Sequence, residues 1–284
     1  MALFLTQPVS RVRRLLAGGS PLRDRTVLIT GASSGIGEAT AHAVAARGAT
    51  VLLVARRAEE LARVQNAVEA RGGRAASYVC DLTDLEAVDE LAAKILAEHG
   101  AVDYLVNNAG RSIRRSLALS ADRFHDVERS LAINFLGPVR LTMGLLPAMR
   151  AQRFGHVVNV VTWGVQLKAP KFSAYIASKS ALDAWSRVAA RETLPDNVTF
   201  SNVRFGLIRT PMSAPTEAYG DHGRSPEWAA DRVVRALEER PVTLDTVAGT
   251  VGEVLGLVTP RLMERAFALA DRAFPDSKAA RGAQ

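Results

Sequence analysis

Tyr175 and Lys179 stand four residues apart in the run Tyr175-Ile176-Ala177-Ser178-Lys179, which brings both side chains to one face if the segment is helical. The chemistry open to such a pair is proton transfer. A phenol with a pKa of about 10 is a poor acid or base at neutral pH. A neighbouring ammonium favours the phenolate and moves its titration toward the working range. Taken alone, the spacing arises by chance and is more often a surface pair than a catalyst, so the rest of the chain must supply a reaction for the proton to serve.

The run Thr30-Gly31-Ala32-Ser33-Ser34-Gly35-Ile36-Gly37 supplies one. It follows the strand-like segment Thr26-Val27-Leu28-Ile29-Thr30 directly and opens a helical pattern. Glycines at 31, 35 and 37 permit a tight turn, bring backbone N–H groups against a diphosphate and let the helix pack closely on the strand. Here the spacing is GxxxGxG. Glycine also merely permits turns, and it is the position between strand and helix that points to a dinucleotide. The second strand ends Val54-Ala55-Arg56-Arg57. Ala55 stands where a carboxylate would hold a ribose 2′-hydroxyl, whereas Arg56 can pair with a 2′-phosphate and Ser33 can add a hydroxyl, so NADP(H) is expected over NAD(H). The alternative is two solvated arginines after a strand. In Cys80-Asp81-Leu82, at the end of the third strand, Asp81 could meet the adenine amino group or cap a helix. With a nicotinamide present, its positive ring would add to Lys179 in favouring a Tyr175 phenolate.

The elements that must position these residues are legible as a pattern. Aliphatic runs at 26–30, 50–54, 76–79, 104–107, 156–161 and 198–204 alternate with alanine-rich stretches apolar at three- and four-residue spacing, such as Glu38 to Arg47 and Glu59 to Arg71. Nearly continuous apolar strands separated by helices predict a parallel sheet covered on both faces, a doubly wound α/β domain over about residues 24–247. With 284 residues, 48% hydrophobic and 23% charged, the chain can bury a sizeable core, which excludes disorder over most of its length. A single cysteine, Cys80, and five scattered histidines exclude a disulfide framework and argue against a zinc site. The cysteine usage fits a reducing, cytoplasmic setting. The net charge of +7 comes from spread arginines with only 6% aromatics, which favours anionic small ligands over nucleic acid. No apolar run reaches the length of a membrane span; Val247 to Val258 is short and holds Glu253 and three glycines.

Together, TGASSGIG at 30–37, NNAG at Asn107 to Gly110, Asn134, YxxxK at 175–179 and Gly206-Leu207-Ile208-Arg209-Thr210 resemble the short-chain dehydrogenase/reductase family, a Rossmann-type single-domain fold. The resemblance implies that Asn108, Ala109 and Gly110 line the cofactor and that Asn134 supports a water-mediated proton relay. It also implies that Ile208 and Thr210 contact the nicotinamide and that Lys179 holds its ribose. Two residues depart from the family pattern. Thr162 stands where the family has a serine, keeping a hydroxyl donor but adding a methyl that stiffens χ1 and crowds the pocket. Phe205 replaces the usual proline before Gly206, exchanging a rigid turn for an aromatic face.

The implied reaction is hydride transfer from NADPH to a carbonyl held by Thr162 and Tyr175. A basic loop, Arg111-Ser112-Ile113-Arg114-Arg115-Ser116, beside apolar Gly164 to Leu167 and Pro211-Met212 suits an acyl chain on an anionic carrier such as coenzyme A. This loop, Phe172-Ser173-Ala174-Tyr175 and Phe274-Pro275-Asp276-Ser277 are similar to bacterial fatty acyl-CoA reductases of the family. The arginines could instead form salt bridges or a subunit contact. A general ketone or 3-oxoacyl reductase, an alcohol dehydrogenase and a non-catalytic NADP-binding regulator are the competing readings. Residues 1–23 form an amphipathic extension with Val9, Val12, Leu15 and Leu16 opposite Arg11, Arg13 and Arg14; it is expected to pack on protein rather than on an anionic membrane. Residues 248–284 form a helical extension expected to pack against the body or a partner chain, or to roof an apolar pocket. The family implies a homodimer or homotetramer.

Overall fold

The computed structural model describes residues 19–214, 222–273, 275–276 and 280, so the amphipathic pattern of residues 9–16 and the side chains of Phe274 and Ser277 lie outside the described residues. Seven strands form one all-parallel sheet in the order β3-β2-β1-β4-β5-β6-β7. They are β1 (Thr26–Thr30), β2 (Thr50–Ala55), β3 (Arg74–Val79), β4 (Tyr104–Asn107), β5 (Gly155–Thr162), β6 (Val198–Phe205) and β7 (Thr243–Leu244). The crossovers are α1 (Gly35–Ala45), α2 (Ala58–Glu69), α3 (Leu85–His99), then α4 (His125–Leu131), which runs through a π turn at Ala132–Leu136 into α5 (Gly137–Ala151). After β5 come the short α6 (Gly164–Leu167), the long α7 (Ser173–Thr193) and α8 (Pro226–Glu239), and after β7 the pair α9 (Val247–Val258) and α10 (Pro260–Ala273).

The six apolar runs read from the sequence are β1 to β6, each lengthened by at most two residues at an end. The two-residue β7 carries too little periodicity to be read. Central strands bury both faces: Val27, Ile29, Val51 and Leu53 point into the cluster under α1 and α8, and Leu28, Leu52, Leu105 and Val157 into the cluster under α3 and α5. This two-sided burial makes the strands apolar throughout rather than alternating. By length and composition alone, the unbroken helical stretch His125–Ala151 could cross a bilayer, contrary to the expectation that no segment reaches that length. Here it packs on α3 and α7 and buries Leu141, Leu145 and Met149.

A row of buried asparagines joins the strand ends beneath the cleft. Asn107 donates to Asn159 Oδ1 (2.9 Å), Asn159 donates to Asn202 Oδ1 (3.0 Å), and Asn202 donates to Ser186 Oγ of α7 (2.8 Å). The parallel register sets these residues side by side, and each bond between fully desolvated amides strengthens the specificity of that register. Nearer the opposite end of β5, His156 is buried between Thr199 Oγ1 at 2.8 Å and the Ala236 carbonyl at 3.2 Å. Burial, with Arg240 nearby, pushes its imidazole down to about 3, so it stays neutral at pH 7. The unfolded chain binds this proton near 6.5 and the folded chain does not. Stability from this residue is therefore complete above about pH 6.5 and is lost as pH falls toward about 3. Denaturation series across that window should show wild type losing on the order of a few kcal/mol more than His156→Asn; equal acid slopes would contradict the assignment.

Candidate active site

The carboxyl ends of β1, β2, β4, β5 and β6 open into one cleft of about 980 Å³, the crevice where a doubly wound sheet binds its ligands. One end is built by the glycine turn. Gly31 (φ +65°) and Gly35 (φ +58°) take left-handed conformations. A Cβ on Gly31 would lie 2.9 Å from Ala109 Cα, and one on Gly37 would lie 2.2 Å from the Gly31 carbonyl. Residues 108–110 are locked to this turn: the Asn108 and Ala109 N–H groups both donate to Thr30 Oγ1 at 3.0 Å, and Asn108 Nδ2 donates to the Thr30 carbonyl at 2.9 Å. Ser34 precedes α1 without capping it by a side-chain bond, so the first-turn N–H groups have no side-chain acceptor. An extended anion is what such a terminus accepts. The residues fit a dinucleotide.

At the ribose end, the structure divides the two arginines. Arg56 and Arg57 both line the cleft, but Arg56 pairs with Asp81 at 3.6 Å, while Arg57 Nη2 donates to Ser33 Oγ at 3.4 Å. In the sequence alone Arg57 reads only as a solvated neighbour of Arg56. Asp81 itself does not reach the cleft wall. Burial works against its charged form, but the Thr83 N–H and hydroxyl together with Arg56 outweigh it and hold the carboxyl below its usual range. Leu82 and Cys80 do line the cleft. Burial, then Asp81, pushes the Cys80 thiol up to about 11, which leaves it unreactive at neutral pH.

The other end carries the acid–base pair. Tyr175 and Lys179 lie one turn apart on α7, and both line the cleft with Thr162. Lys179 is 4% exposed, and its Nζ donates to the Val160 carbonyl at 2.9 Å. Burial pushes its ammonium from 10.5 down to about 8, leaving it mostly charged at pH 7. Asn134 sits in the π turn, fully buried. Its amide donates to the Arg111 carbonyl (2.9 Å) and Ser178 Oγ (3.0 Å), and its Oδ1 accepts the Arg111 N–H (2.9 Å). It thus ties the loop after β4 to α7 from behind the cleft wall. Gly110 separates it from the lysine: a Cβ there would lie 2.7 Å from Asn134 Oδ1 and 3.2 Å from Lys179 Nζ.

Thr162 Oγ1 accepts the Gly164 N–H at 3.1 Å, which leaves its own proton to donate into the cleft. Ile208 and Thr210 line the same space, with Thr210 Cγ2 against Gly35. Phe205 touches the cleft but is 3% exposed and packs on Trp228 with ring centroids 6.2 Å apart, so most of the ring belongs to the core. Phe172, from the motif Phe172-Ser173-Ala174-Tyr175, supplies apolar wall together with Trp163, which the sequence alone does not single out although it directly follows Thr162. Of the basic loop, Arg111 and Arg114 line the cleft and Arg115 does not. Arg115 pairs with Asp126 at 3.1 Å and donates to the Ala280 carbonyl, the salt-bridge alternative for that residue. Arg114 donates to the Pro275 carbonyl at 3.0 Å, and Asp276 accepts the Ser116 N–H at 3.0 Å, so Pro275 and Asp276 lie against this loop. Arg129, from α4, lines the cleft beside them; no spacing in the sequence links it to the site.

The family model described as short chain dehydrogenase matches residues 25–219. The chain is 45% identical over 267 residues to an uncharacterized oxidoreductase of Mycobacterium tuberculosis, covering 93% of this chain and 78% of that one. It is 44% identical over 264 residues to the fatty acyl-CoA reductase of Acinetobacter baylyi, covering 93% and 90%. Among solved structures, it is similar to a 3-oxoacyl-(acyl-carrier-protein) reductase of Agrobacterium tumefaciens with NADP bound, at 29% identity and TM-score 0.70, covering 82% of this chain and 92% of that one.

Proposed function

Since the chain belongs to the short-chain dehydrogenase/reductase family of oxidoreductases, we propose that it uses NADP(H) to reduce the carbonyl of an apolar, lipid-like substrate, a fatty acyl-CoA or a fatty aldehyde. The observation that carries this reading is the convergence of Thr162, Tyr175 and Lys179 on a cleft whose far end is the uncapped glycine turn. Bound NADPH would supply the hydride to the carbonyl carbon. Tyr175 gives its phenolic proton to the oxygen as that oxygen becomes anionic, and Thr162 donates a second hydrogen bond to it. The charged Lys179 offsets the phenolate left behind. Asn134 fixes the backbone at Arg111 and, across Gly110 from Lys179, holds that loop against α7 beside the pair; the water-mediated relay implied by the family resemblance would have to pass in front of it.

Several features support the finer choices. Ser33 and Arg57, already hydrogen-bonded, form a hydroxyl–guanidinium pair suited to a 2′-phosphate, and the similar Agrobacterium reductase was solved with NADP. The acyl-CoA reading rests on Arg111, Arg114 and Arg129 around an apolar wall of Trp163, Phe172 and Met212 and on the likeness to a fatty acyl-CoA reductase. With a thioester, hydride addition gives a hemithioacetal that expels the thiol and leaves an aldehyde. With a ketone or 3-oxoacyl group, only an alcohol forms, and the likeness to a 3-oxoacyl reductase favours that as the second reading.

Following NADPH oxidation with matched acyl-CoAs, long aldehydes and ketones tests the proposal. Free thiol and aldehyde should appear with acyl-CoA; turnover of ketones alone would move the assignment to the second reading. Tyr175→Phe should lower turnover by at least about a hundredfold while leaving cofactor affinity nearly intact, and undiminished turnover would remove Tyr175 from its role. Arg57→Ala should raise KM for NADPH about tenfold, with little change for NADH and more effect than Arg56→Ala. The reverse ranking of the two arginines would return the phosphate to Arg56.

A further inference from the structure

We infer that the consecutive helices α9 and α10 are a docking element that seats the protein on the surface of an anionic lipid bilayer. α9 is packed in the reverse sense of a soluble amphipathic helix. Its small residues face the protein: a Cβ on Gly249 would come 2.3 Å from Gln166 Oε1, and one on Gly252 would come 2.0 Å from Leu167 Cδ2. Its one charged side chain also turns inward, Glu253 accepting a hydrogen bond from Gln166 Nε2 at 2.8 Å. The large side chains face water instead. Val247, Val251, Val254 and Val258, on successive turns, are each more than half exposed, and Leu257 is 78% exposed. Beyond the turn at Thr259, α10 buries no residue, and Leu262 and Leu269, two turns apart, are 64% and 67% exposed. Rows of exposed large apolar side chains such as these mark a surface that something covers.

Charge selects lipid as the cover. On α10, helical periodicity sets Arg261, Arg265 and Arg272 along one flank of the Leu262–Leu269 stripe, with Glu264 and Asp271 on the opposite side. Asp271 is taken by Lys171, whereas the three arginines are exposed and none is ion-paired among the described residues. Apolar side chains flanked by arginines match acyl chains beneath anionic headgroups, the guanidinium reaching the phosphates while its stem lies on apolar surface. α9, about 18 Å long, is too short to span and would lie in the interface plane. It rests on α6, whose Gly164 lines the cleft, so docking would bring the cleft mouth to the lipid surface. The inference does not depend on the proposed reaction, and its test needs no turnover.

Sedimentation of the full chain with vesicles of equal parts phosphatidylcholine and phosphatidylglycerol tests it. Wild type should pellet with these vesicles and bind pure phosphatidylcholine vesicles at least about tenfold more weakly. The variant Leu257→Glu/Leu262→Glu, changed only at exposed positions, should keep its far-UV circular dichroism and thermal midpoint and lose at least about tenfold in affinity for the mixed vesicles. Wild type remaining in the supernatant overturns the inference. So does a folded double variant that pellets as well as wild type, which would assign any binding to another segment such as residues 1–18. A variant that loses an oligomer by light scattering while its vesicle binding is unchanged also overturns it, and gives the face to a second copy of the chain.

Discussion

An ammonium group with almost no water around it must be solvated by the chain itself, and Lys179 has the Val160 carbonyl at 2.9 Å for that purpose. Desolvation raises the cost of the charged form, so the group titrates near 8 rather than 10.5. It is nevertheless the protonated form that prevails at pH 7, where a positive charge one helical turn from Tyr175 has its use. Much of the surrounding architecture serves this placement. β5 supplies the carbonyl, and Gly110 leaves the lysine its approach. Asn134 holds the loop behind it, and the asparagine row from Asn107 to Asn202 ties the strand ends to α7.

The same group has a cost with a definite sign. The unfolded chain holds the Lys179 proton up to about pH 10.5 and the folded chain releases it near 8. Between these values the unfolded state binds more protons, so this residue's contribution to stability rises with pH, and at neutral pH the charged lysine is destabilising. A site that keeps a buried charge against that gradient is trading stability for electrostatics at the reacting atoms, as functional sites commonly do.

Legibility from sequence followed how local each signal was. The strand runs, the glycine turn and the 175–179 spacing are set by neighbours in the chain, and the structure brings Gly31, Gly35, Asn108, Thr162, Tyr175, Lys179 and Thr210 to one cleft. What failed to show depends on side-chain direction or on distant pairing. Adjacent Arg56 and Arg57 take different partners because successive residues leaving a strand point apart, one to Asp81 and the other to Ser33. Arg115 looked equivalent to Arg111 and Arg114, yet Asp126 draws it away from the cleft. Arg129 reaches the site from another helix, and Asn159 and Asn202 acquire meaning only from a register that joins residues 43 positions apart. For α9, the apolar run was visible, but the outward turn of its valines follows from glycines fitting against Gln166 and Leu167.

One buried amine carries a charge it holds only weakly, and with only five lysines in the chain its titration is directly measurable. In a sample labelled at the lysine ε-carbons, NMR titration should show a resonance moving with a midpoint near 8 that is absent from Lys179→Met. If the resonance lost in Lys179→Met instead titrated near 10.5, Lys179 would be solvated rather than buried against Val160, and its charge would not be weakly held.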